Sequence, residues 1–212
     1  MRDLILKMSV SIDGFVGGPN HESDFIFADV DDQQTAWTID VISEASLHIM
    51  GSKTFKDMAS YWPTSTEVYS PPMNTIPKAV FTKQGPSILK AGDASKAGEG
   101  ALTFAGKTDH ADHMQPGAET WAQADVAGGD LVEEIGKLKA QAGGPIIAHG
   151  GAGFARSLIA AGLPDQYDLL VHPYALGQGL PIFTDLAKPR AFKLVNSMAF
   201  PKGSVAQVYR PA

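Results

Sequence analysis

The 212-residue chain contains no cysteine. That absence excludes disulfide bridges and thiolate chemistry, and it fits a protein of the reducing cytoplasm. No apolar run approaches the ~20 residues of a membrane-spanning helix. Met1-Arg2-Asp3 leads directly into a strand-like segment. A signal peptide, with its basic start, apolar stretch and small-residue cleavage site, is therefore not expected. Basic charge is scarce: 17 Lys and Arg stand against 23 Asp and Glu, for a net charge of −6. These cations are scattered, so the basic patch of a nucleic-acid binder is missing. A local pocket for one small phosphorylated ligand remains compatible with this charge. Hydrophobic residues make up 44% and charged residues 19%, ordinary values for a soluble globular domain.

What is present is an alternation of strands and helices. Leu4–Ile12 ("LILKMSVSI") reads as a mostly buried strand. A helix is expected from about Asp31 to Ala45, with Trp37 and Val41 on one face. "LHIM" (Leu47–Met50) is a short strand, and a helix to about Ser60 follows it directly. "KAVFT" (Lys78–Thr82) is another strand. From Gln84 to Gly117 the chain is small, polar and glycine-rich, and reads as a long excursion. Thr120–Ala124 reads as a strand. Asp130–Gln141 is the clearest helix: Asp130 with Glu133 resembles a capping box, and Leu131, Ile135 and Leu138 form a stripe. Ile146–His149 is a strand, Phe154–Ala161 a helix and Tyr167–His172 a buried strand. Phe192–Ala199 and Ser204–Arg210 flank Pro201-Lys202-Gly203 as a terminal β-hairpin. Repeated βα units predict a single α/β domain with a mainly parallel sheet and helices on both faces.

Ligands of such sheets lie outside the carboxyl ends of the strands. Three ends carry suitable chemistry. At Gly51-Ser52-Lys53-Thr54 a strand passes straight into a helix, offering N–H groups, hydroxyls and one ammonium to an anion. The alternative is that Ser52 only caps the helix. At Thr82-Lys83 a hydroxyl and an ammonium suit a terminal phosphate, or Lys83 is merely solvated. At His149-Gly150-Gly151-Ala152-Gly153 three glycines in four residues suit close approach of a pyrophosphate, or only a tight turn. Together the three ends suggest an extended ligand with several phosphates, such as a dinucleotide.

The segments "MSVSIDGFVGG", "IMGSKTFKDM", "KAVFTK", "LVEEIGKLKAQ", "IIAHGGAGFARSLIAAGL" and "DLLVHPYALGQGLPIF" resemble the dihydrofolate reductase-like family. They are most similar to the branch homologous to the C-terminal reductase domain of the riboflavin-biosynthesis deaminase/reductase. The resemblance covers nearly the whole chain outside about residues 84–117. It implies a three-layer sandwich, an NADPH-dependent reductase activity on a small heterocycle such as a pterin or ribosylamino-pyrimidine, and commonly a homodimer. It places Ser52, Lys53 and Thr54 at the first phosphate-binding helix start and Thr82 and Lys83 near the 2′-phosphate side. Gly150, Gly151, Ala152 and Gly153 fall under the pyrophosphate, and Ser9, Val16 and Gly17 flank the nicotinamide. Ser52 stands where these reductases often carry arginine. A zinc deaminase half is excluded, because its His/Cys/Cys ligands need cysteine.

The remaining candidates each have two readings. Asp32 is the candidate proton donor among Asp31, Asp32 and Asp40; alternatively Asp31 and Asp32 complement the helix dipole. Trp37 and Trp62 line a pocket for a flat ring, or are core. The substrate is expected between the first helix and the Pro173–Phe183 loop, which brings in Leu176. His149 touches cofactor or is a hydrogen-bonded structural residue. His110 and His113 are spaced for a divalent metal only if helical; with no clear further ligand, no metal is expected. A dinucleotide-binding module without catalysis is the alternative function.

Overall fold

The computed structural model describes residues 1–92, 110–184 and 186–212. Strand β1 (Leu4–Ser11) shows how the core is built. Leu4, Leu6, Met8 and Val10 alternate onto one face and pack with residues of the fourth and fifth helices, Ile135, Leu158 and Ile159. Ile5, on the opposite face, packs with Ala45 and Ile147. A strand buried on both faces reads as a nearly continuous apolar run, which is what "LILKMSV" is. Its one charged residue, Lys7, sits on the Ile5 face.

The other elements follow in alternation: α1 (Asp32–Ser43), β2 (Leu47–Gly51), α2 (Ser52–Ala59), α3 (Ser70–Thr75) and β3 (Lys78–Phe81). Then come β4 (Asp125–Ala127), α4 (Leu131–Ala140), β5 (Ile146–Ala148), α5 (Ala152–Ala160), β6 (Gln166–His172), β7 (Phe192–Ala199) and β8 (Val205–Pro211). The eight strands form one sheet in the order β4-β3-β2-β5-β1-β6-β8-β7. The pairings from β4 to β6 are parallel, and β8 runs antiparallel to both β6 and β7. Helices α4 and α5 cover one face; α1, α2 and α3 supply buried residues to clusters on the other. This is the expected sandwich with its terminal hairpin.

Three local expectations are corrected. Thr120–Ala124 is not a strand: Ala118–Trp121 is a 3-10 turn, and the strand is Asp125–Ala127, paired with β3. The tryptophan decides it, since Trp121 is fully buried and its indole N–H donates to Asn74 Oδ1 at 2.9 Å. Helix α3 was not foreseen. Its prolines, Pro71 and Pro72, sit in the first turn, where a missing N–H costs nothing. The excursion after Gln84 begins as a 3-10 segment, Gly85–Gly92, and rejoins the domain where His110 bridges Ser65. The rest of that excursion, 93–109, lies outside the described residues. Buried Lys78 ties the region together, donating to the carbonyls of Asn74 and Ile76 and to Thr120 Oγ1.

Candidate functional site

Strands β3, β2, β5 and β1 are neighbours and parallel, so their carboxyl ends share one edge of the sheet. At ~4.8 Å between strands, four ends span about 14 Å. Along that edge stand Thr82 and Lys83, then Gly51 to Thr54, then His149 to Gly153, then Ser9. The fold thus gathers the three strand ends picked out from the sequence.

Two helices begin there without a side-chain cap. Gly51 precedes α2 and Gly151 precedes α5, and neither helix has an acidic residue in its first turn. Ser52 is the first helical residue rather than the cap. The two helix starts touch: Thr54 Oγ1 accepts the Gly151 N–H at 2.7 Å, and a Cβ on Gly51 would stand 3.1 Å from Phe154 Cβ. Gly150 has a φ of +74°, and a Cβ there would run into the Met8 sulfur. Its backbone favours glycine; the end of the Met8 side chain would have to shift to admit a Cβ. Gly153 is different, with no described residue within 4 Å of where a Cβ would be. The first-turn N–H groups of α2 and α5, near Ala152 and this open glycine, form a positive, uncapped edge suited to an anion.

The cationic candidates on this edge are engaged with the protein. Lys53 pairs with Asp57 on its own helix at 2.8 Å. Lys83 Nζ donates to the carbonyls of Gly128 at 2.8 Å and Gly129 at 3.2 Å. Thr82 Oγ1 accepts the Gln84 N–H. Val16 and Gly17 belong to a loop stitched to the segment after β6: Val16 N–H donates to Leu180 O and Leu180 N–H to Gly17 O.

A cavity of about 420 Å³ opens on the α1 face of the sheet. Its floor is Lys7, Ser9, His149 and Leu170; α1 contributes Gln34, Thr35 and Thr38. Trp62 and Tyr69 supply ring surface. Ser9, Trp62 and His149 are therefore brought together on one cavity. Trp37 is not among the lining residues; it packs on Phe200 with ring centroids 6.1 Å apart, between α1 and the hairpin. Leu176 lies outside as well. The Pro173–Phe183 loop is tied instead to the turn after β1, where Asp13 accepts the N–H groups of Leu176 and Gly177. Asp32 is exposed on the first turn of α1 and does not line the cavity; neighbouring Asp31 caps the helix through the N–H groups of Gln33 and Gln34. The dipole-complementing reading fits this pair. His110 bonds Thr64 Oγ1 at 3.0 Å, and His113 is exposed.

The sequence reading missed Lys7 and Gln34. Lys7 makes no hydrogen bond among the described residues, and its Nζ lies 5.9 Å from the Trp37 ring centre. Burial lowers its pKa to about 8, against the pull of Asp168 opposite on β6. The signal was there: a lone charge inside a doubly buried strand. Gln34 is 3% exposed, and its Oε1 has no partner among the described residues. No spacing rule marks such a residue. His149 stands edge-on to His48, with ring centroids 4.6 Å apart. Burial, then His48 and the lysines Lys7 and Lys78, hold His149 well below the usual imidazole range. Burial and Lys78 bring His48 down to about 3. Both rings are neutral at physiological pH.

Known proteins repeat this architecture. The Bacillus subtilis protein YyaP, itself uncharacterized, is 28% identical over 208 residues, 98% of this chain and 94% of that one. A putative riboflavin biosynthesis protein from Shewanella sp. PV-4 superposes with a TM-score of 0.65 at 18% identity, covering 100% of this chain and 99% of its own. The Thermotoga maritima diaminohydroxyphosphoribosylaminopyrimidine deaminase/5-amino-6-(5-phosphoribosylamino)uracil reductase gives 0.62 at 15% identity; all of this chain matches 57% of that one. Dihydrofolate reductase from Enterococcus faecalis, solved with NADP(H), gives 0.56 at 12% identity, covering 99% and 96%. The model of the RibD C-terminal domain matches residues 2–206, and the chain belongs to that family.

Proposed function

We propose that the protein is an NADPH-dependent reductase of a small planar heterocycle. The observation that carries this is the paired, uncapped start of α2 and α5 beside the cavity floored by Lys7. The residues fit a dinucleotide. First-turn N–H groups of both helices suit its pyrophosphate, and the open space at Gly153 admits it. Lys83 can turn from the Gly128 and Gly129 carbonyls to a 2′-phosphate. When bound, the cofactor supplies the hydride; the protein supplies position and charge.

The cavity residues divide the remaining work. Trp62 and Tyr69 offer flat surface to a ring. Gln34 Oε1, buried and unpaired, calls for a ring N–H, because leaving it unmet costs about 1–3 kcal/mol. Lys7 donates a hydrogen bond, and on reduction a proton, to a carbonyl or imine of the substrate. An ammonium with a pKa of about 8 is charged at neutral pH yet acidic enough to give its proton up. Neutral His149 adds no second charge at the floor. The family match and the reductases among the structural neighbours support the same reading. Titration with NADPH and NADH, followed by nicotinamide fluorescence, tests it. Saturable binding that favours NADPH is expected; binding of neither would defeat the proposal.

A further inference from the structure

On the opposite face of the sheet from Lys7 lies a second hollow, with a volume of about 560 Å³. Residues alternate along β6, so Asp168 and Leu170 share the Lys7 face while Tyr167 and Leu169 point to the other. Tyr167 and Leu169, with Gln207 and Tyr209 opposite them on β8, form the bed of the hollow. Phe183, Leu186 and Arg190 form its wall. Four rings cluster here: Tyr167 to Phe192 at 4.9 Å, Phe183 to Phe192 at 5.9 Å, and Tyr209 to Phe192 at 6.4 Å between centroids.

Two polar features in this aromatic setting are unfinished. Tyr167 is 1% exposed, and its hydroxyl has no hydrogen-bond partner among the described residues. Buried hydroxyls nearly always have one. Arg190 gives one N–H to Ile159 O at 2.6 Å, near the end of α5. Its other N–H groups have no acceptor, and it has no carboxylate partner, among the described residues. The guanidinium lies beside the Tyr167 hydroxyl, outside hydrogen-bond geometry, and opposes the rise in pKa that burial imposes there. A guanidinium prefers a planar, bidentate anion, and rings prefer a flat apolar body.

We propose that this hollow is a second ligand site, separate from the reductase cavity, that takes a small planar aromatic carboxylate. The carboxylate meets Arg190 and accepts the Tyr167 O–H, while the ring system lies among Phe183, Phe192 and Tyr209. This site does not depend on the reductase reading, because its residues lie on the other face of the sheet.

Calorimetric titration with 2-naphthoate tests the proposal, with 2-naphthamide as the uncharged isostere. One saturable site per chain is expected, unaffected by saturating NADPH. Arg190→Gln should weaken naphthoate about tenfold, the size of a lost charge-assisted hydrogen bond, and leave naphthamide unchanged. Arg190 also serves the end of α5, so Phe183→Ser provides a second variant that leaves the guanidinium in place; it should weaken both compounds. Three results would overturn the proposal. Naphthoate does not bind, or it binds equally to Arg190→Gln, or NADPH or the Lys7→Met change displaces it. If Phe183→Ser splits a dimer and naphthoate does not bind, the hollow is an interface between copies and the proposal fails.

Discussion

Helices α1 and α4 begin differently from α2 and α5. Asp31 accepts the N–H groups of Gln33 and Gln34, and Asp130 accepts those of Val132 and Glu133. Acidic side chains, Asp32 in α1 and Glu133 and Glu134 in α4, also stand in these first turns. Such a helix has satisfied its own positive end. Helices α2 and α5 follow glycines, have no side-chain cap, and have no first-turn acid. With glycine in the cap position, each start forgoes only about a few tenths of a kcal/mol against a side-chain cap. Here two such starts are side by side at the carboxyl edge of the sheet, joined through Thr54 and Gly151. The capped pair stabilises the fold; the uncapped pair is open to an anion.

Changes at the open pair should have the largest effect. A Cβ on Gly151 would stand 3.1 Å from Thr54 Oγ1, and valine adds two methyl groups at the joint. Gly151→Val is expected to abolish NADPH binding, a loss of more than about 100-fold, while circular dichroism stays native. Unchanged affinity would separate this turn from the cofactor.

Next comes the floor of the cavity. Lys7→Met should lower kcat about 100-fold, the lower end of what general acid catalysis contributes, and leave NADPH affinity unchanged. In the parent protein, turnover should fall as pH rises through about 8, where Lys7 loses its proton. Stability should move in a defined direction too. A partly buried ammonium whose pKa is lowered by folding disfavours the folded state most at pH below 8. That penalty fades as pH rises from 8 toward 10.5. Lys7→Met should therefore raise the melting temperature at pH 7, and the gain should shrink above pH 8. A flat pH–rate profile would remove Lys7 from proton transfer.

The smallest effect is expected at a capped start. Asp130→Ala should cost about 1 kcal/mol of stability by chemical denaturation and leave NADPH affinity as it was. A large loss of affinity would erase the distinction between the two kinds of helix.

The sequence displayed these features unequally. Helix α4 was legible because its cap, its apolar stripe and its glycine stop are all local. The three strand ends were legible for the same reason, and the parallel sheet set them on one edge. Trp37, Leu176 and Asp32 do not line the cavity, and the contacts that place them elsewhere were not legible in the sequence. Trp37 meets the hairpin at Phe200, Leu176 meets Asp13, and Asp32 faces solvent one position beyond the true cap. Gln34 was invisible, since only the folded packing of α1 leaves its oxygen buried and unpaired. Lys7 carried a signal, a cation in an apolar strand, but only the order of strands shows which face it occupies.

Amide NMR of the 15N-labelled protein, with and without NADPH, tests most directly whether the uncapped starts of α2 and α5 hold the cofactor. Large shifts and slowed hydrogen exchange are expected at the N–H groups of Lys53, Thr54, Gly153 and Phe154. The amides of Gln33, Gln34, Val132 and Glu133, already bonded to aspartate, should hardly move. Shifts confined to the capped helices, or spread evenly over all four, would contradict that placement of the cofactor.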